Sequence, residues 1–258
     1  MEKIMLKLLE HTIWTVAVVL LISGCDWLPS DPDENTLDEG LVAHYSFDKG
    51  QATDDSGNGN NCRLLGDPSA VDGVNGQALR LDGTGDHANC GSDDSFDMKE
   101  AITISAWLRP LTLDNTGSSD WIAGKWKVDG TKGAWLLGIK TRKRPNFGMS
   151  SDEKGYNEVI AEMRVELNSF SHIVGVYDGR SNQARIYVNG RLASATRQAE
   201  DISASRSDVL LGATRYALSS ERFENYLHGD LDEVRFYSRA LKGSEIRTLY
   251  QRGTEAME

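Results

Sequence analysis

Two carboxylates two positions apart are the first groups in this chain that could do chemistry. Asp230 and Asp232 lie in the run His228-Gly-Asp-Leu-Asp-Glu-Val-Arg-Phe-Tyr237, and residues i and i+2 of an extended strand share a face. With His228 alongside, the pair has the composition of an acid–base site. Glycoside hydrolysis, for example, needs two carboxyl groups about 5–9.5 Å apart across a cleft. The alternation points elsewhere. Asp232 falls in phase with Val234 and Phe236, so its carboxylate is aimed at a core and needs donors or a cation to offset burial. Asp230 reads as a turn residue. The sequence therefore predicts an ion ligand or cap at Asp232, no catalytic residue and no enzyme.

Other chemistries find less. There is no Gly-x-Ser-x-Gly elbow, no Cys-x-x-Cys or His-x-x-x-His spacing for zinc, and no phosphate-binding fingerprint. The segment Thr53-Asp-Asp-Ser-Gly-Asn-Gly-Asn-Asn-Cys62 places oxygen donors at alternating positions around a Gly bend, like the first half of a calcium loop. It lacks the terminal Glu and flanking helices of an EF-hand, which excludes that module. A cation held by oxygens from separated loops and a metal-free Asx-rich turn both remain open. Among aromatics, Trp121, Trp126 and Trp135 share the middle strands, and Tyr216, Phe223 and Tyr226 lie near a polar loop. Most supply buried area to a core. Trp126 and Tyr216 are the candidates for stacking on a sugar ring.

The elements that must position these groups are strands. Alternation marks Leu41 to Phe47, Ala101 to Pro110, Asp120 to Lys127, Ala134 to Lys140, His172 to Gly179 and Gln183 to Gly190. Asn189-Gly190 is a two-residue hairpin turn. Gln77–Gly83 and His87–Cys90 flank Gly-Thr-Gly-Asp and predict another hairpin. Phe147–Ser150, Val159–Val165 and Asp208–Ala213 are further strands, and Leu241, Ile246, Leu249 and Tyr250 make the stripe of a short terminal helix. Strands at short intervals, with 25 Gly and 5 Pro in 258 residues, indicate one all-β domain: a two-sheet antiparallel jelly-roll sandwich with a C-terminal helix. A domain of about 210 residues buries roughly 70% of its unfolded surface and needs no metal merely to fold. A net charge of −11 excludes nucleic acid and anionic membrane surfaces as partners.

The N-terminus reads as an address. Lys3 and Lys7 precede an apolar run from Ile13 to Ile22, shorter than the roughly 20 residues of a membrane span. It ends in Leu21-Ile-Ser-Gly-Cys25, which resembles the bacterial lipobox. The expectation is a signal peptide over 1–24, lipid on Cys25, an acidic tether over 25–39, a folded domain over 40–252 and a tail over 253–258. A plain signal anchor is the alternative. Membrane contact is then through the lipid alone, in a bacterial cell envelope, facing the periplasm or exterior. Of three Cys, one lipidated leaves Cys62 and Cys90 to pair in an oxidising compartment.

Seven segments, in order, carry a resemblance: Leu41-Val-Ala-His-Tyr-Ser-Phe-Asp48, Asp55-Ser-Gly-Asn-Gly-Asn60, Gly76-Gln-Ala-Leu-Arg-Leu-Asp-Gly83, Ile104-Ser-Ala-Trp107, His172-Ile-Val-Gly-Val-Tyr-Asp-Gly179, Tyr187-Val-Asn-Gly190 and Asp232-Glu-Val-Arg235. Together they resemble the laminin G-like, concanavalin A-like jelly rolls of bacterial surface proteins. Phe170 stands where that family has Trp, Arg142 to Pro145 is unusually basic, and Lys242 replaces a Ser cap, predicting a frayed helix. The glucanases on this sandwich carry Glu-x-Asp-x-x-Glu, which this sequence lacks. The resemblance implies non-catalytic binding of a glycan or an extracellular protein. A divergent glycoside hydrolase or polysaccharide lyase and a structural adhesion module are the rivals. Because the Asp/Asn loop resembles the family's metal-binding end, one structural calcium is expected on Asp55, Asn60 and Asp232, with Asp82 as a further candidate.

Overall fold

Alternating sequence becomes strand wherever one side can be buried, and two sheets result. The computed structural model describes residues 37–113, 120–126, 133–151, 155–197, 202–215 and 223–257. Cys25 and Tyr216 lie outside the described residues. The strands are β1 (Leu41–Tyr45), β2 (Arg63–Leu65), β3 (Ser69–Asp72), β4 (Gln77–Asp82), β5 (His87–Asn89), β6 (Ala101–Pro110), β7 (Asp120–Gly124), β8 (Trp135–Lys140) and β9 (Arg144–Ser151). They continue as β10 (Gly155–Ile160), β11 (Ser171–Asp178), β12 (Gln183–Val188), β13 (Arg191–Arg197), β14 (Leu210–Leu211), β15 (Thr214–Arg215), β16 (Phe223–Glu224) and β17 (His228–Tyr237), before helix α1 (Gly243–Ala256).

The first sheet has the order β13-β12-β11-β6-β17-β4-β3, with β1 also on β17; the second runs β10-β9-β8-β7-β14-β5-β2. A short β15–β16 ribbon stands apart. This is the antiparallel sandwich expected from the sequence. Leu79, Leu81, Ile104 and Leu108 of the first sheet meet Ile122, Leu137, Phe147 and Met149 of the second in one core. Each such side chain contributes about 1.5–3 kcal/mol by leaving water. Asn189 (φ 50°) and Gly190 (φ 71°) make the left-handed two-residue turn between β12 and β13. Cys62 and Cys90 form the expected disulfide.

Several expectations need correction. The turn after β4 is not a hairpin: β4 belongs to the first sheet and β5 to the second. The Asp86 carboxylate pins this crossover, accepting from the amides of Asp82 (3.2 Å) and Asp67 (2.7 Å). The strand expected to reach Val165 ends at Ile160, and the one over Asp208–Ala213 shrinks to Leu210–Leu211. Leu37 is buried and α1 runs to Ala256, so the folded part exceeds 40–252 at both ends. Lys242 does not fray the helix. Its N–H donates to the Glu245 carboxylate (2.7 Å), which Arg239 also holds; this is the reciprocal half of a capping box.

Helix α1 covers the outer side of the first sheet. Ile246 and Leu249 pack with Leu241 on Val174, Val176, Tyr187 and Tyr237. Tyr250 stacks on Trp107 with centroids 5.6 Å apart, and Gly253 lets the helix approach, since a Cβ there would sit 2.4 Å from the indole. Beneath them His172 shares a 2.8 Å hydrogen bond with Ser105 through Nε2, while its buried Nδ1 has no partner among the described residues. Burial, aided by the Arg235 charge, pushes His172 down to about 3. The unfolded chain takes this proton near pH 6.5 and the folded chain does not. Stability present above pH 6.5 is therefore lost as pH falls toward 3, by up to about 1.4 kcal/mol per unit. His172→Gln is expected to flatten this part of a stability-against-pH curve measured by urea melts.

Candidate functional site

The acidic residues of β17 are placed by a bulge. Asp232 pairs with Trp107 and Arg235 with Ser105 of β6, so Glu233 and Val234 share one intervening position. Glu233 takes the extra residue's left-handed conformation (φ 51°). Its carboxylate is held by Arg235 and by His44 Nε2 at 3.1 Å. An added residue inverts the alternation. Val234 and Phe236 lie in the inter-sheet core together with Leu231, which leaves Asp230 and Asp232 on the outer side with Trp107. The expectation that Asp232 points toward the core with Val234 and Phe236 is thereby corrected.

Both carboxylates are nevertheless fully buried. Asp230 accepts from Arg80 Nε (2.7 Å) and Nη2 (3.0 Å) and from Arg109 Nε (2.5 Å), so each neighbouring strand closes one guanidinium over it. Asp232 Oδ2 accepts from the amides of Val74 (2.7 Å) and Asn75 (3.2 Å). Its Oδ1 is buried with no partner among the described residues. Burial pushes Asp232 up to about 7, against those two donors. The pair shares a face, but beneath two arginines and a turn.

The four expected calcium ligands do not converge. Asp55 Oδ2 accepts from the Ser46 amide (3.2 Å) and hydroxyl (2.7 Å). Asn60 donates to the Val42 carbonyl (2.9 Å) and accepts from Ser95 (3.1 Å). Asp54, which the sequence did not single out as a ligand, organises the loop by accepting from the amides of His44 and Ser56 (both 3.0 Å) and of Asn60 (2.9 Å). Asp82 turns back on Thr84 and pairs with His228, four positions along β17 from Asp232, or about 13 Å at ~3.3 Å per residue. Among the described residues no three His, Cys, Asp or Glu side chains gather as a metal site. Of the four, Asp232 alone has a buried oxygen with no partner among the described residues.

The outer side of the second sheet is built differently. Trp121 of β7, Trp126 just beyond it and Tyr156 of β10 meet there. Trp126 lies 6.5 Å from Trp121 and 5.3 Å from Tyr156, edge to face with the latter. Each ring lies over a glycine: a Cβ at Gly124, Gly133 or Gly148 would come within 2.7 Å of Trp121, 2.3 Å of Trp126 or 2.7 Å of Tyr156. Lys125 fixes the start of this stretch, its fully buried ammonium meeting Asp97 at 2.5 Å. Polar groups adjoin the rings. The Glu158 carboxylate accepts from Tyr156 (2.7 Å), Asn146 (3.1 Å) and Lys140. Trp126 is half-buried and Tyr156 is 45% exposed. Sequence reasoning found Trp126 but missed Tyr156, whose only signal was Gly148, two positions from its cross-strand partner Ser150, in a weakly patterned pair of strands.

This architecture has known relatives. A laminin G-type family model, described as the concanavalin A-like lectin/glucanases superfamily, matches residues 82–247, more than half of the chain. The chain belongs to this superfamily. No curated protein matches it. Solved structures that share its fold include domain 4 of AbnA, a GH43 extracellular arabinanase from Geobacillus stearothermophilus, in complex with arabinotriose. That domain is 19% identical with a TM-score of 0.64, covering 82% of this chain and 98% of that one. The binding domain of Paraclostridial Mosquitocidal Protein 1 is 18% identical (TM-score 0.67; 84% and 53% covered). A structure of botulinum neurotoxin type C, which depends on two ganglioside molecules to enter cells, is 15% identical (0.66; 85% and 52%). The chain spans about half the length of the two toxin structures, and identities this low establish the fold alone.

In this member of the superfamily the Asp230 clamp is structural. Asp230→Ala leaves two partly exposed guanidinium groups without their shared partner and is expected to cost about 1.5–3 kcal/mol in a denaturant melt, the range for a hydrogen bond to a charged group. A variant as stable as the parent would contradict the clamp.

Proposed function

We propose that the chain is a non-catalytic glycan-binding module of the bacterial cell envelope. The observation that carries this reading is the Trp126–Tyr156 surface laid over glycines and backed by the buried Trp121, beside Lys140 and Glu158, which the buried Asn146 holds from beneath. Flat aromatic rings accept the apolar faces of sugars, and a few placed polar groups fix their hydroxyls. The arabinotriose bound to the arabinanase domain and the gangliosides on which the neurotoxin depends support the reading. A glycan array on the purified chain should yield oligosaccharide ligands. Trp126→Ala or Tyr156→Ala should then weaken the best of them by about 10–100-fold, the effect of removing an aromatic anchor. Tyr156→Ala should leave the melting midpoint almost unchanged. Ligands bound equally well by both variants would overturn the proposal.

If a structural calcium ion is bound, the orphaned Asp232 Oδ1, beside the turn at residues 73–76, is the oxygen that supports it, with other oxygens and water needed to complete six to eight ligands. Such an ion would secure the closing strand to the turn before β4. Calcium at about 100 times its dissociation constant adds roughly 2.7 kcal/mol, and Asp232→Asn should abolish that gain. Identical melts in calcium and in chelator would return Asp232 to a hydrogen-bonded cap.

The anchoring half of the proposal rests on the lipobox-like run before Cys25. No described helix is long and apolar enough to cross a membrane. Intact mass of the mature chain should show diacylglycerol on an N-terminal Cys25; an unmodified N-terminus elsewhere would contradict it.

A further inference from the structure

The dipeptide Asn-Gly occurs three times in the chain, at Asn58-Gly59, Asn75-Gly76 and Asn189-Gly190. An asparagine loses its side-chain amide most readily before glycine, because glycine has no side chain to keep its backbone nitrogen from the asparagine Cγ. Whether a given pair reacts depends on how freely the side-chain amide and the glycine backbone move, and the three pairs differ in both. Two are locked. Asn58 Nδ2 donates to the carbonyls of Leu41 (2.9 Å) and Val42 (3.2 Å) and to the Ser56 hydroxyl (3.1 Å). Asn189 Oδ1 accepts from the His172 amide (2.9 Å), and the Asn189 amide donates to the His172 carbonyl (2.8 Å). Gly190 lies under Tyr250, where a Cβ would come within 3.1 Å of the ring.

Asn75 is different. It lies exposed in the turn between β3 and β4, and neither its side-chain amide nor the Gly76 N–H has a hydrogen-bond partner among the described residues. Its own backbone amide is held, donating to Asp232 Oδ2 (3.2 Å) beside that of Val74 (2.7 Å). The Gly73 amide closes the turn on the Gly76 carbonyl (3.1 Å), and the Gln77 amide donates to Asp48 Oδ1 (2.9 Å). Space is tight on both sides. A Cβ at Gly73 would lie 2.5 Å from Asp232 Oδ2, and one at Gly76 would lie 2.3 Å from Asp48 Oδ1. The turn is a wedge fitted between two carboxylates, with one free reactive side chain at its tip.

We propose that Asn75 is a self-modification site, converting to isoaspartate with age and thereby loosening the turn that caps Asp232. The Gly76 nitrogen gives its proton to hydroxide and attacks Asn75 Cγ. The Cγ–Nδ2 bond breaks, ammonia leaves, and a succinimide ring closes. Water then opens the ring at either carbonyl, giving aspartate or, where the main chain stays joined through Cγ, isoaspartate. No oxidant or reductant takes part. Isoaspartate inserts one more carbon into the main chain between the Cα of residue 75 and Gly76. That shifts Gly76 from its bond with Gly73 and Gln77 from its bond with Asp48, in a turn with no room to absorb the change. Either product also sets a new negative charge beside the buried Asp232 carboxylate, which opposes its ionised form. The inference is independent of the glycan-binding reading.

The test is to age the purified, folded chain at mildly alkaline pH, digest it at acidic pH to stop the reaction, and map the peptides by mass spectrometry. Each converted asparagine gains about 1 Da, and an isoaspartyl carboxyl methyltransferase with a labelled methyl donor marks the isoaspartate. Conversion at Asn75 should run about tenfold or more ahead of Asn58 and Asn189, whose hydrogen bonds must open first. Asn75→Gln, which would have to close a larger and slower-forming ring, should remove the label from this turn. Glutamine keeps the backbone amide that Asp232 uses, so the fresh variant should melt with the fresh parent. On ageing, the midpoint should fall in the parent and hold in Asn75→Gln. Conversion of Asn58 or Asn189 as fast as Asn75, or none at Asn75, would overturn the site. Full conversion at Asn75 with an unchanged midpoint would overturn its effect on the turn.

Discussion

One extra residue in the central strand decides which side of the first sheet carries its acidic side chains. β17 is bordered by β6 along its length and by β4 and β1 on its other edge, so its phase sets the phase of the first sheet. Had the alternation run unbroken, Asp232 would have entered the apolar core with Val234 and Phe236. An unpaired carboxylate there costs several kcal/mol even when it takes up a proton. The bulge at Glu233, anchored by Arg235 and His44, returns both acidic residues to the outer side and keeps Leu231, Val234 and Phe236 in the core.

That choice assigns the two outer surfaces. On the first sheet, the carboxylates bind arginines and turn amides, and α1 settles over Trp107 and His172, so the surface is used up in structure. The second sheet carries no such cover from α1. Its glycines allow Trp121, Trp126 and Tyr156 to lie against the backbone rather than stand away from it. Rings seated this way lose little freedom on binding, which favours recognition without rearrangement. In the proposed reading, stability and recognition are divided between opposite sides of one core.

Much of this was legible in the sequence, and the failures have physical causes. β6, β12 and the Asn189-Gly190 turn were readable because alternation and left-handed turn residues are local signals. The crossover after β4 was not, since Gly-Thr-Gly-Asp suits a hairpin as well as a change of sheet; the deciding contact, Asp86 to Asp67, is long-range. The bulge was invisible because Glu233 adopts a positive φ without the glycine that usually announces one. The same loss of phase misplaced Asp232 and, with it, the expected convergence of Asp55, Asn60 and Asp82. Lys242 misled in another way: the cap is supplied from within the helix by Glu245 rather than by the residue at its start.

The indole N–H signals of the tryptophans offer the most direct test of the central claim, that the outer side of the second sheet is the glycan surface. In a nitrogen–proton correlation spectrum of the chain titrated with an oligosaccharide ligand, Trp126 and Trp121 should shift progressively. Trp135, in the core, and Trp107, beneath the helix, should stay in place. Shifts at Trp107 with Trp121 and Trp126 unmoved would place recognition on the opposite sheet and contradict the account.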